Sequence, residues 1–445
     1  MGPLVLAGPM LSNGYRALGP VDAHAPQQFQ RLLNAILRGD AIEKRGGYSV
    51  FQDAGVALTG GVSVNSLYAT EGTATRKIVA AANTRLFGIT PAGVSSVIKS
   101  GLTTGSRFDF CEYKDAGTYR VIGYTDTGAG YAFKWDAGAG AVTDLVGPGV
   151  AAGVVMAHNG RIWVASGNTV YITEDGTVDT FEGNFVLSYD GGDGVVTKML
   201  PLSRLRALIF TDRSLWSVTG GDPGVISGDF DINPQPVAKI GCPSRMGTVK
   251  IGEEIFFLGV QNGSYGFYMT DGVEAVKLSS AIQDDLDRIN TAAVGVACAI
   301  QLDRHVLFAV PVDGATENTL CFLYHREMRG NPWTTWSLAK NPRCFARDPI
   351  TGDVFHGQQD AAHVHKHTPA AYSDGGSAID LDLITGAVAL GAEALELFQL
   401  RDLEAHVDVV ASGSWSAEYG RDAEAVGSFT AFTNSPFSAA ASGSF

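Results

Sequence analysis

With 445 residues, 45% of them hydrophobic and only 18% charged, the chain has ample apolar surface for a large core and too little charge to stay disordered. A formal charge of −14 argues against a protein that wraps a nucleic-acid backbone, because phosphate binding needs a compensating Lys and Arg surface. Five cysteines (Cys111, Cys242, Cys298, Cys321, Cys344) are odd in number, widely spread and form no CxxC pair, so zinc and dithiol chemistry are not indicated and burial as small hydrophobes is expected.

The opening MGPLVLAGPML is apolar, but it holds two prolines and no Lys or Arg precedes Arg16, a poor fit to a signal peptide. No later stretch approaches a membrane-spanning run, so cytosolic synthesis without membrane insertion is expected. The sequon Asn262-Gly263-Ser264 then reads as a turn. Phe29, Leu32, Leu33, Ile36 and Leu37 recur at helical spacing in APQQFQRLLNAILRG, with Gly39 as a stop, and predict a short N-terminal helix. A second helix is predicted in SSAIQDDLDRIN, capped by Ser279 or Ser280 and carrying Asp284 and Asp285 near its start.

Almost everything else reads as short strands between Gly, Asp and Asn turns. A polar turn followed by an apolar run recurs as NTRLFGI, GTYRVIGY, NGRIWVA, DRSLWSV, GEEIFFLG, DRHVLFAV and GDVFHG. The markers Asn83, Gly117, Asn159, Asp212, Gly252, Asp303 and Gly352 are 34 to 53 residues apart, and their mean of about 45 is the length of a four-stranded propeller blade. A single blade cannot cover both of its faces, so successive blades pack into a closed ring. The expected fold is all-β, a β-propeller of about six to seven blades, with a run of sandwich domains as the alternative.

The expected organisation is residues 1–60 as a lead-in carrying the helix, 61–375 as the propeller, and 376–445 as a C-terminal β-sandwich-like domain with an extended tail. Longer alternating strands such as LEAHVDVVASGSWSAEYG (Leu403 to Gly420) point to that last domain, which the N-terminal segment could complete. The tail GSFTAFTNSPFSAAASGSF would fray in a monomer, and a neighbour to lie against is expected.

Motifs that carry chemistry are few. His363, His365 and His367 sit at strand spacing, so their side chains share a face and could hold a transition metal; the preferred reading is an exposed His-rich strand in the last blade. GPGVAAG (Gly147 to Gly153) has the wrong spacing for a dinucleotide loop and leads into a strand, so it reads as a linker between blades. DGGDG offers Asp190 and Asp193 to calcium but reads more simply as a tight turn. Trp333 and Trp336 in NPWTTWS could stack on sugar rings or bases, against the preferred reading of packing at a blade edge. No GxSxG elbow, HExxH helix, Walker loop or Cys/His pair is present, and no pair of carboxylates stands out. No catalytic, cofactor-binding or metal-binding residue is assigned, and no cofactor or enzymatic activity is expected.

The ordered series of motifs resembles the β-propeller tail proteins of short-tailed bacteriophages, the tail nozzle, hub or packaged-DNA stabilisation family. The likeness runs from FQRLLNAILRGDAIEKRGGYSVF, with its Arg-Gly element at Arg45-Gly46, through YRVIGYTDTGAGYAFKWDAGAGAVTDL and MAHNGRIWVASGNTVYITEDGTVDTF. It continues through LPLSRLRALIFTDRSLWSVTGG, KIGCPSRMGTVKIGEEIFFLGVQNGSYGFYMTDGVEAVKLS and ENTLCFLYHREMRGNPWTTWS to DVFHGQQDAAHVHKHTPAAYSDGGSAIDLDLITGAVALG. One departure is the run of small residues around Gly138, where a bulkier turn is expected after Trp135. ITEDGTVDTF is also similar to the Asp-containing turn of sialidase-type propellers, which bears on fold alone. The tail-protein resemblance implies a structural virion component that extends or closes the DNA exit channel as a ring, most often of six copies, contacting other tail or connector proteins. It implies a virion location after synthesis in the bacterial cytoplasm. Six copies would carry about −84 in formal charge, a lumen on which DNA slides without sticking. A carbohydrate-binding or glycan-hydrolysing propeller at the host surface is the competing reading.

Overall fold

The computed structural model describes residues 29–38, 41–52, 57–58, 62–72, 75–125, 132–187, 194–220, 232–328, 332–371 and 373–385, together with the short strands Glu418–Tyr419 and Thr430–Ala431. The expected C-terminal domain and tail, and the Asp190–Asp193 turn, lie otherwise outside the described residues.

The chain is a seven-bladed β-propeller. From innermost to outermost strand, blade 1 runs from Val64–Ala69 to Ser95–Ser100, blade 2 from Phe108–Asp115 to Val142–Leu145 and blade 3 from Val154–His158 to Phe181–Val186. Blade 4 runs from Val196–Pro201 to Asn233–Ala238, blade 5 from Thr248–Ile251 to Ala275–Lys277, and blade 6 from Cys298–Leu302 to Trp333–Trp336. Blade 7 opens with Pro342–Arg347, Val354–Gln358 and Val364–Thr368, then takes its fourth strand, Gly47–Val50, from the other end of the chain. The first strands adjoin one another around the axis, including Pro342–Arg347 against Val64–Ala69, where the last blade meets the first.

Each sequence marker falls in a different blade. Asn83, Asn159 and Asp303 adopt φ of 53°, 50° and 53°, the left-handed geometry that two-residue hairpins demand and Asn and Asp tolerate. Five markers turn between first and second strands, whereas Asn83 and Asp212 turn between second and third. That offset widens the marker spacing; blades counted from their first strands start 42 to 52 residues apart.

Seven separate apolar clusters fill the seven gaps between neighbouring blades, one of them between blades 7 and 1. An open array of seven sheets would have only six such gaps, so the ring is closed. Strand alternation supplies both faces: in Ile78–Ala82, Ile78, Ala80 and Ala82 pack toward blade 7 while Val79 and Ala81 pack toward blade 2. Between blades 5 and 6, Phe267 stacks on Phe308 at 4.2 Å between ring centroids and on Trp333 at 5.2 Å.

The predicted N-terminal helix does not form. Phe29–Leu33 and Ala35–Arg38 are strands, separated by Asn34 at φ 58°. Leu32, Ala35 and Leu37 are all buried in one cluster, since the break at Asn34 shifts the phase and the later residues then alternate. The first strand runs parallel to the outer strand of blade 6, with Leu33 opposite Thr335, and antiparallel to Asp382–Thr385. Edge pairing on a finished sheet satisfies the backbone and overrides the helix propensity of Gln, Leu and Arg. The second helix shrinks to a 3-10 turn, Ser280–Ile282, followed by Gln283–Leu286. Asp284 and Asp285 do lie in its first turn, but Ser279 does not cap it; its hydroxyl accepts instead from the Phe267 amide.

Gly47 shows how tightly the borrowed strand is gripped: an added methyl would stand 2.0 Å from the Ser373 carbonyl oxygen. Gly47→Ala is expected to cost roughly 1–3 kcal/mol by overpacking, read as a lowered urea midpoint with an unchanged slope.

Candidate functional site

The densest polar arrangement lies where the two ends of the propeller meet. Arg45 is 2% exposed and all five of its N–H groups donate. Nε donates to Asn34 Oδ1 (2.8 Å), Nη1 to Gly46 O (3.0 Å) and Asp374 Oδ1 (2.8 Å), and Nη2 to Ser337 O (2.5 Å) and Asp374 Oδ2 (2.5 Å). Its guanidinium also stacks over Trp336, 5.5 Å from the ring. Asn34 completes the knot: its Nδ2 donates to Asp380 O (2.7 Å) and Ser337 Oγ (3.2 Å) while Oδ1 also accepts from the Ser337 amide (3.0 Å). One side chain thus bridges the strand borrowed by blade 7, the end of blade 6 and the chain beyond blade 7. Gly46 follows because a Cβ there would meet Pro369 Cα at 2.5 Å.

Against this knot pack the histidines. His365 and His367 lie on one face as their spacing predicts, joined by His356 from the adjacent strand, yet none is on an exposed strand: they are 2%, 8% and 0% exposed. The expectation of exposure fails because the borrowed strand Gly47–Val50 covers them, with the Tyr48 ring edge-on to His356 at 4.6 Å and to His365 at 5.0 Å. His356 Nδ1 and His367 Nε2 share a hydrogen bond of 3.0 Å, His365 Nε2 meets Gln358 Oε1 at 2.8 Å, and His363 Nδ1 meets Gln52 Nε2 at 3.0 Å. Burial first, then neighbouring positive charge, lowers all four; His365 and His367 fall to about 3. His356 and His367 are committed to one another, His365 to Gln358 and His363 to Gln52. Among the described residues no group of three or more His, Cys, Asp and Glu is arranged to hold a metal ion.

A second cluster, invisible in the sequence, closes one end of the axis. Arg107 immediately precedes the innermost strand of blade 2, Arg245 lies just ahead of that of blade 5, and Arg343 is the second residue of that of blade 7. Innermost strands run alike, as the parallel bridge between Met246 and Cys298 marks, so all three sit at the same end. Arg107 Nη1 donates to Gly295 O (2.7 Å), ahead of blade 6, and Arg245 Nη1 donates to Arg107 O (3.3 Å). Both bonds span blades on opposite sides of a seven-membered ring.

The other sequence candidates are structural. Trp333 and Trp336 are buried at 0% and 2%, their indole N–H groups donating to Leu278 O and Ala35 O, so neither offers a stacking face. Gly147 to Gly153 links blades 2 and 3, its first turn held by the Asp179 carboxylate accepting from the Val146 and Gly147 amides. Asn262 and Gly263 form the hairpin turn at φ 52° and 81°. All five cysteines are free, and four are buried. A small cleft of about 50 Å³ between blades 7 and 1 contains Asp348 and Asp353, which pair with Arg76 and Lys366. No helix among the described residues is long and apolar enough to cross a membrane.

No protein-family model matches this chain, and no curated protein matches it. Among solved structures it is similar to the computationally designed protein Ika8 at 10% identity, over 70% of this chain and 98% of that one, with a TM-score of 0.40. It is similar to PorZ, a surface component of the type-IX secretion system of Porphyromonas gingivalis, at 15% identity over 72% of this chain and 40% of that one, TM-score 0.43. An extracellular domain assigned to a one component system of B. thetaiotaomicron matches at 11% identity over 75% and 43%, TM-score 0.47. The chain spans less than half the length of these last two. Likenesses of this degree say nothing of what it binds.

Proposed function

We propose that the chain is a structural component of a bacteriophage tail, assembled with copies of itself as a ring, of six by the family resemblance, on the DNA exit channel. It works through stiffness and subunit contacts rather than through an active site, and its partners are neighbouring tail or connector proteins. The observation that carries this reading is the double closure of the propeller. Gly47–Val50 completes blade 7, while Phe29–Leu33 and Asp382–Thr385 extend blade 6, so the chain preceding Phe29 and the chain following Thr385 leave from paired positions on one edge. That is the layout of a rigid block whose flanking segments serve one contact surface. The DNA lumen in this reading belongs to the ring of copies, not to the axis of one propeller.

A glycan-active propeller asks for converging carboxylates and exposed aromatic rings on the axis. At the described end stand three arginines, and five tryptophans (Trp135, Trp163, Trp216, Trp333, Trp336) are buried between blades. Native mass spectrometry and two-dimensional particle averages of the purified full chain test the proposal. Closed rings of one stoichiometry are expected; a strictly monomeric particle at tens of micromolar that binds or cleaves an oligosaccharide overturns it.

A further inference from the structure

We propose that the axial end of the propeller where the innermost strands begin binds one phosphate-class oxyanion, held by Arg107, Arg245 and Arg343 from blades 2, 5 and 7.

Three arginines from separate blades stand at this one end, Arg245 bonded to the Arg107 carbonyl, and among the described residues neither Arg107 nor Arg343 is in an ion pair. Arg107 spends Nη1 on Gly295 O, but its Nε and Nη2 are sealed from solvent with no acceptor, as is Nε of Arg343. Unmet guanidinium donors in a desolvated place are costly, and more so beside like charge. Burial first, then Arg343 and also Arg245, depresses Arg107 to about 10, so Arg107 stands within the field of both. Among the described residues the acid that acts on Arg343 is Glu317, whose carboxylate accepts from Asn341 Nδ2 at 3.1 Å. The frame around them is fixed: the single Ser244 hydroxyl proton is shared between Ala297 O (2.5 Å) and Gly295 O (3.1 Å), and Asn318 donates to Val296 O and Pro342 O, both at 2.8 Å. A rigid ring therefore holds cationic forks together that would otherwise separate.

An oxyanion converts that repulsion into charge-assisted hydrogen bonds. Donors arriving from three sides of an axis suit a tetrahedral ion, whereas a planar carboxylate is satisfied by a single fork. The site does not depend on the tail reading: it lies within one propeller and would respond to phosphate whether the chain is a ring or a monomer.

The test is thermal unfolding and calorimetric titration of the full chain with sodium phosphate against sodium chloride at matched ionic strength, with sodium acetate and phenyl phosphate as further arms. Phosphate is expected to raise the melting temperature and to bind at one site per chain. Equal binding of phenyl phosphate identifies the phosphate end of a larger molecule as the ligand; its failure identifies the free ion. Arg343 donates no hydrogen bond among the described residues, so Arg343→Gln is expected to fold, to melt higher than wild type in chloride because repulsion is relieved, and to bind phosphate at least tenfold more weakly. Arg343→Lys, which keeps the charge without the fork, should restore part of the binding. Absence of a phosphate response in the wild-type chain, an equal response to acetate, or an undiminished response in Arg343→Gln overturns the proposal.

Discussion

Acidification from pH 7 to pH 5 is expected to loosen blade 7 before the rest of the ring. His356, His365 and His367 are buried and neutral, and burial together with the charge of neighbouring groups holds each below the ordinary 6.5. In the unfolded chain the same rings titrate normally and take up protons that the folded state refuses. Their contribution is therefore fully present above pH 6.5 and is lost as the pH falls toward about 3. Each ring adds up to about 1.4 kcal/mol per pH unit, and three together up to about 4, large against the 5–15 kcal/mol typical of a domain's stability. The groups facing them sharpen the effect: His367, His365 and Arg45 oppose a proton on His356, Arg45 opposes one on His367, His363, His367 and Lys340 oppose one on His365, and among the described residues Asp374 alone favours the last. A proton on the bonded nitrogen of the accepting ring of the His356–His367 pair also puts a donor where that ring must accept. Amide exchange of Gly47–Val50 and Val364–Thr368 should accelerate below pH 6 while strands of blades 2 and 3 stay protected. His356→Gln combined with His367→Gln should flatten the pH slope of the melting temperature. An equal slope in that variant, or uniform exchange across all blades, would remove the histidines as the cause.

The ring was legible in the sequence because its turns are chemically marked: Asn83, Asn159 and Asp303 advertise left-handed hairpin positions locally, without reference to the rest of the chain. Their fixed recurrence then limits the architecture. What failed were features decided by distant partners. Leu32, Leu33, Ile36 and Leu37 fit helical spacing as well as they fit two short strands, and only the edge of blade 6 selects the strands. His365 and His367 announce a shared face, but whether that face meets water depends on a strand more than three hundred residues earlier. Arg45 stands out through a family likeness, whereas Asp374 sits in SDGG and reads as a turn. The axial arginines leave no signature at all, because Arg107, Arg245 and Arg343 each stand singly within their own stretch and only the closed ring brings them together.

Arg45→Met is expected to be the most damaging single substitution in the propeller, at about 3–5 kcal/mol, since it strands the Asp374 carboxylate in an interior site. The pair is 1% and 2% exposed, and among the described residues Asp374 retains only the Ala339 amide, at 3.2 Å, as another donor. The same substitution removes donors from Asn34 Oδ1, Gly46 O and Ser337 O, loosening the hold of blade 6 on the strand that finishes blade 7. Changing both partners separates charge from packing. Arg45→Met with Asp374→Leu leaves no buried charge and should recover a substantial part of the loss, as apolar replacements of buried pairs commonly do. Asn34 Oδ1 keeps the Ser337 amide as a donor, but the Ser337 and Gly46 carbonyls lose theirs in the double variant, so recovery is expected to be incomplete. Arg45→Lys keeps the charge but supplies three donors where five are used, and should fall between the single and wild-type chains. Chemical denaturation of the four proteins measures the coupling directly: a double variant no more stable than Arg45→Met would mean that the guanidinium acts by spanning strands rather than by neutralising Asp374.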